Sequence, residues 1–341
     1  MKLHKSMLLL ISVVTLVAMV IPGLPAASAQ AQTPTAVTLD NFKLDPRIAK
    51  KIAAGEKLVI PVSYHDVSNE FAPFMKQGAE KAAKELNVDA PFVGPVSPKA
   101  DVQIAELESL VEKGVDGLAI SSVSSDALAP VIERLIKQGI PVVTFNTDNP
   151  KSSRLAFAGQ YLVQSGFNAA DALAKILNGK GDVIITTLDA AAQWSLDREK
   201  GARQAFANYP GLKVLQTVNT GTEPQAVYAA IENAMQANPS VSGILSLECC
   251  SVSPAGEYVK RNNLKDKVTV VGFDEVPTTL QLIKDGYIAA SFSQDPPRQT
   301  YEAVKMLVSF LKGQPISGVD TGIARIDTTN VDQYMQMVNK K

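Results

Sequence analysis

The chain has 341 residues, with 33 basic against 34 acidic side chains and a formal net charge of −1. No basic stripe exists to follow a phosphate backbone, which argues against nucleic acid as a partner. A hydrophobic share of 46% with only 6% aromatics fits an aliphatic-rich α/β protein, and the length exceeds what one core usually serves, so two domains are expected.

In chain order, Lys2, His4 and Lys5 precede an apolar stretch over residues 7–21, a break at Pro22-Gly23 and the small-residue sequence Ala27-Ser28-Ala29. This is the pattern of a secretory signal peptide cleaved near Ala29, too short and wrongly flanked to span a membrane. The processed protein is expected to be a soluble monomer, periplasmic or otherwise extracytoplasmic. No cysteine near the cleavage site could carry a lipid anchor. Residues 30–55, rich in Ala, Thr and Pro and then in Lys, read as an N-terminal tether.

From there β-rich runs alternate with helical patterns: KLVIPVS (57–63), GLAIS (117–121), IPVVTF (140–145), GDVIITT (181–187), LKVLQTV (212–218), GILSLE (243–248), VTVVGFD (268–274) and IAASFSQ (288–294), with a weaker strand LAFAG at 155–159. FMKQGAEKAAKEL, APVIERLIKQG and QAVYAAIENAMQAN are typical of the helical segments between them. Strand, helix, strand is the rhythm of a doubly wound parallel sheet, and the number of strands calls for two sheets. Glycines at 114, 139, 179 and 286 mark helix ends.

Neither a dinucleotide-binding glycine fingerprint nor a Walker loop follows any strand, and His4 and His65 cannot build a multi-histidine metal site or a histidine-based triad. No enzyme activity, cofactor or metal is expected. The only two cysteines, Cys249 and Cys250, are adjacent and form no C-x-x-C pair; they are either a strained vicinal disulfide facing the cleft or two small buried thiols.

Polar and aromatic residues collect where the strands end. The order of NEF at 69–71, IPVVTFNTD, DREKG, VVGFDEVP and SFSQDPP resembles the type I periplasmic sugar-binding proteins, relatives of ribose-binding proteins and of the effector domains of LacI-type repressors, over residues 56 to about 335. The resemblance implies two doubly wound parallel-sheet lobes joined by a three-strand hinge. The first lobe is expected over 56–159 plus 295–317 and the second over 160–294 plus 318–338. The chain would cross between them near Gly159-Gln160, near Gln294-Asp295 and within 317–322.

The resemblance also implies a function: capture of a small carbohydrate, a pentose, hexose or polyol, between hinged lobes and its delivery to a membrane ABC permease. A chemosensory receptor for a furanose-like signal is the alternative of the same fold. By position, Asn69, Phe71, Arg198, Asp274 and Gln294 match ligand-contacting or hinge residues of the family. An Asp accepts from two adjacent hydroxyls, an Arg fork donates to two, and an aromatic face covers the C–H surface of a sugar ring. The chain departs from ribose binders in carrying Asn146-Thr147 in place of Asp-Arg and Glu248 in place of Asn. Asn146 and Glu248 therefore join the ligand candidates, Glu248 as a balance for Arg198. Trp194 is read as stacking on ligand or packing between lobes, His65 as a rim group, Phe74 as core. Asp274 has a second reading as a helix N-cap.

Overall fold

The structure is a computed structural model that describes residues 36–339, so the signal-peptide reading lies outside the described residues. The first part of the chain runs α1 (Pro46–Ala53), β1 (Val62–Ser63), α2 (Ala72–Leu86), β2 (Phe92–Val93), α3 (Ala100–Lys113), β3 (Leu118–Ile120), α4 (Ser125–Lys137), β4 (Val142–Phe145) and β5 (Phe157–Gly159). The second runs α5 (Leu162–Ile176), β6 (Lys180–Thr187), α6 (Gln193–Phe206), β7 (Gly211–Asn219), α7 (Pro224–Ala237), β8 (Val241–Ser246), α8 (Cys249–Arg261), β9 (Thr269–Phe273), α9 (Pro277–Lys284) and β10 (Ala290–Ser293). The chain then returns through α10 (Pro296–Leu311), β11 (Val319–Asp320), β12 (Ala324–Ile326) and α11 (Val331–Asn339).

Two sheets result, ordered β11-β5-β4-β3-β1-β2 and β12-β10-β9-β8-β6-β7. Their strands are parallel except where β12 closes the second sheet antiparallel to β10. The runs that are apolar on both faces explain this. Val142, Val143 and Phe145 in β4, and Val270, Val271 and Phe273 in β9, are all fully buried, and only a sheet covered by helices on both faces can hide such strands. The fold is thus α/β, with two parallel-dominated sheets.

Residues 36–55 do not behave as a tether along their described length. Val37 bridges to Ile316, Asp45 caps α1 by accepting from the Arg47 amide at 2.7 Å, and Ile48 is fully buried in the first core. Asp116, buried with no exposure, accepts from Arg47 Nη1 at 2.9 Å, Lys51 Nζ at 2.6 Å and the Val59 amide at 2.7 Å. Composition alone hid this, because α1 carries its lysines on the face turned to Asp116 and to solvent. The boundary at 317/318 also shifts: β11 pairs with β5 in the first sheet, so the last crossing falls between Asp320 and Ala324.

Three glutamines and a threonine tie the crossings together. Gln160 Nε2 donates to the carbonyls of Ser293 (3.3 Å) and Gly322 (3.2 Å), Thr321 Oγ1 donates to the Gln294 carbonyl (2.8 Å), and Gln299 Nε2 donates to the same carbonyl (2.9 Å). Each crossing is thereby bonded to the other two.

α5 and α6 touch backbone to backbone. A Cβ on Gly166 would lie 2.0 Å from the Arg198 carbonyl oxygen, and one on Gly201 would lie 1.8 Å from that of Val163. The two glycines therefore set how closely α6, the helix carrying Arg198, approaches α5. Gly201→Ala is expected to lower unfolding stability by about 2–3 kcal/mol, the cost of overpacking a tight interface, when measured by urea denaturation. An unchanged midpoint would show that the helices have slack at this contact.

Candidate functional site

The carboxyl ends of the strands from both sheets face one another, which is where open parallel sheets bind ligands. β1 delivers Tyr64 and His65, β4 delivers Asn146 and Thr147, β6 delivers Leu188, β8 leads to Glu248, β9 to Asp274 and β10 to Gln294. All of these line a single cavity of about 40 Å³ between the lobes, together with Asn69 and Phe71 at the start of α2 and Trp194 and Arg198 on α6. Every residue nominated from the sequence as ligand-contacting therefore lies around one chamber.

The lobes meet across this chamber. His65 from the first lobe stacks on Trp194 from the second, with centroids 4.4 Å apart and planes at 19°. The Gln193 amide, beside Trp194, donates to the Val123 carbonyl at 3.1 Å. Trp194 thus packs between lobes and lines the chamber at once. His65 is not a rim group: it is buried, its Nδ1 lies 2.8 Å from Ser121 Oγ, and desolvation, with the Arg198 charge nearby, lowers its pKa to about 3. The imidazole therefore stays neutral. Phe74 is half-buried against Phe71, outside the chamber.

Arg198 is almost fully buried. Nη1 donates to the Leu247 carbonyl at 2.7 Å, Nη2 to Gln160 Oε1 at 3.2 Å, and the guanidinium lies over the Phe273 ring at 3.9 Å. Its Nε has no partner, and among the described residues it makes no direct ion pair. Burial lowers its pKa, against which the charges of Asp274 and Glu248 act.

Asp274 has φ 73°, a left-handed conformation that Asp and Asn adopt more readily than other non-glycine residues. It is not a helix cap: Val276 occupies the N-cap of α9. Its Oδ1 accepts from Gln294 Nε2 at 2.7 Å. Desolvation raises its pKa to about 6, partly opposed by Arg198. Glu248, expected to balance Arg198, instead caps α8: its carboxylate accepts from the Cys250 amide at 2.7 Å, the Ser251 amide at 3.3 Å and the Ser251 hydroxyl. Burial raises its pKa to about 7.

Asn69 and Asn146 hold neighbours in place. Asn69 Oδ1 accepts from the Phe71 and Ala72 amides (3.1 and 2.9 Å). Asn146 Nδ2 donates to Gln294 Oε1 (3.2 Å) and Gln299 Oε1 (3.0 Å), which ties β4 to the hinge. Cys249 and Cys250 stand as free thiols, their sulfurs 2.8 Å apart, in the first turn of α8. The bridge considered from the sequence is not formed here. Glu248 holds the backbone of this turn helical, whereas a vicinal bridge would have to distort it.

Sequence reasoning passed over Tyr64, Asp66, Leu162 and Leu188, which line the chamber, and Gln160, noted only as a crossing, which accepts from Arg198. Tyr64 follows the buried run of β1 directly, a position that could have marked it.

The chain belongs to the family described as periplasmic binding protein domain, which it matches over residues 60–315. The xylose/arabinose-binding protein of Sulfolobus acidocaldarius is 23% identical over 290 residues, covering 80% of this chain and 71% of that protein. The ribose import binding protein of Bacillus subtilis is 25% identical over 287 residues, covering 83% and 92%. Among solved structures, an ABC transporter solute-binding protein from Burkholderia graminis in complex with D-arabinose superposes with a TM-score of 0.77 at 29% identity, covering 80% of this chain and 96% of that one.

The raised Glu248 pKa has a measurable consequence for the ligand-free protein. Between the ordinary glutamate value and about 7 the folded state holds a proton that the unfolded state has lost, so stability falls as pH rises through that window, by about 1.36 kcal/mol per pH unit at most. Glu248→Gln removes this term. Its melting temperature is expected to fall less than the parent's between pH 5 and pH 8; parallel profiles would show that Glu248 titrates normally.

Proposed function

We propose that the chain is an extracytoplasmic solute-binding protein that captures one small neutral carbohydrate, of pentose or pentitol scale, by closing two lobes over it, and that it presents the closed form to an ABC permease as a monomer. The observation that carries this reading is the chamber itself. A buried arginine with an unpaired Nε and two carboxylates, Glu248 and the left-handed Asp274, are held around it without forming an ion pair, and the aromatic side chains of Phe71 and Trp194 line it beside them. Such a set matches a ring bearing several hydroxyls, each able to donate to a carboxylate or accept from the guanidinium.

Size narrows the choice. About 40 Å³ corresponds to only a few water positions, so the chamber as it stands leaves no room for an oligosaccharide. The names of the relatives, xylose/arabinose and ribose binders, and the D-arabinose in the Burkholderia structure support pentoses as the first ligands to try. Asn146-Thr147 and Glu248 replace residues of the ribose-binding pattern, and Asn146 is committed to Gln294 and Gln299, which favours a sugar other than ribose. Capture without turnover is the activity proposed, in keeping with the binding-protein family to which the chain belongs.

Calorimetry with a panel of pentoses, hexoses and polyols tests this. One sugar is expected to bind one to one, and Arg198→Ala and Asp274→Ala are each expected to weaken it by about 2–5 kcal/mol, because each leaves buried polar partners unpaired. Far-ultraviolet circular dichroism should be unchanged. Binding within a factor of three of the parent would mark either residue as structural, and product formed from the bound sugar would overturn the reading.

A pH series on the parent gives an independent check. With the Asp274 pKa near 6, the carboxylate that accepts sugar hydroxyls is present above that value and lost below it. Affinity is expected to fall as pH drops from about 7 to 5. A flat profile would mean that Asp274 does not contact the ligand.

A further inference from the structure

A second cavity, of about 570 Å³, opens beside the sugar chamber. Its walls come from both lobes: Asp66, Asn69 and Glu70 on one side, Leu188, Thr222–Pro224 and Cys250 on the other. Cys249 faces the inner chamber and Cys250 the outer cavity, so the adjacent cysteines form part of the partition between them. Opposite them stands Glu70. The two sulfurs and a Glu70 carboxylate oxygen all lie within 4.8 Å of one another.

We propose that Cys249, Cys250 and Glu70 form a binding site for one thiophilic divalent cation of the zinc class, bridging the two lobes at the inner edge of the outer cavity. Two sulfurs and one carboxylate oxygen are the donor set of a three-ligand zinc site whose fourth, open position takes water, and thiolate donors select zinc over calcium or magnesium. On binding, each thiol releases its proton to solvent as a sulfur–metal bond forms, and the dication's charge is offset by two thiolates and the glutamate. Tetrahedral ligation needs the sulfurs further apart than 2.8 Å, which rotation of the Cys250 side chain toward the outer cavity supplies. The donors come together only while Glu70 of the first lobe faces α8 of the second, so an ion held there opposes separation of the lobes. A vicinal disulfide and the ion exclude each other, because both use the same sulfurs. The site does not depend on the identity of the sugar, or on whether a sugar binds at all.

Titration of the reduced, sugar-free protein with Co²⁺ tests the site, because cobalt occupies zinc sites and reports sulfur ligation by a thiolate-to-metal charge-transfer band. One ion per chain with that band is expected, displaced by Zn²⁺ and not by Mg²⁺. Cys250→Ser should abolish the band while circular dichroism stays at the parental spectrum, and Cys249→Ser should do the same. Glu70→Gln should keep the band but weaken the affinity about tenfold or more, the signature of a ligand supplied by the opposite lobe. No charge-transfer band in the parent, or a band that survives Cys250→Ser, would overturn the proposal; an affinity untouched by Glu70→Gln would refute the bridge between lobes.

Discussion

A guanidinium taken out of water costs several kcal/mol unless its donors find partners. Arg198 meets that cost without a carboxylate against it: one nitrogen is bonded to the Leu247 carbonyl, one to the Gln160 side chain, and its face rests on Phe273. Asp274, the opposite charge, is held in turn by Gln294. Gln160 and Gln294 both sit at crossings between the lobes and both are bonded to the rest of the hinge. The charged groups of the chamber are therefore anchored to the segments about which the lobes would turn. A ligand that engages Arg198 and Asp274 acts on the hinge through one hydrogen bond each. Closure about a few residues at element ends is the recurrent motion of such two-lobed architectures.

The same arrangement keeps the chamber unsatisfied. Burial holds Glu248 and Asp274 at raised pKa values, and Arg198 keeps an unpaired Nε. Pairing Arg198 directly with either carboxylate would relieve both. The backbone prevents it, since Glu248 is turned back to cap α8 and Asp274 is held by its left-handed conformation toward Gln294. The unspent hydrogen-bonding capacity is what a polyhydroxylated ligand in this chamber would use.

Much of this was readable in the sequence because burial leaves a strong signal. Runs such as VVTF and VVGF can be hidden only inside parallel sheets, and the residues that follow them must open into the cleft, so Asn146, Asp274 and Glu248 could be placed before their contacts were known. Roles were harder. Nothing local distinguishes a Glu248 that pairs with Arg198 from one that turns back to cap its own helix, because the choice depends on where α6 sits, and Gly166 and Gly201 decide that through contacts far apart in the chain. His65 was misplaced for the same reason: its burial comes from Trp194, more than a hundred residues away. Residues 36–55 look like a tether because their single fully buried anchor, Ile48, is outnumbered by charged residues, and the partner of Arg47 and Lys51, Asp116, lies in the connection before β3.

The central claim, that the ligand-facing charges and the hinge act as one unit, is tested most directly by a double-mutant cycle on Gln294 and Asp274 with sugar affinity as the readout. If the unit exists, Gln294→Ala and Asp274→Ala should be non-additive by about 1–2 kcal/mol, since either change alone breaks the bond that gives the other its effect. Additivity within about 0.5 kcal/mol would contradict the account and reduce the hinge to a passive connection between two independently folded lobes.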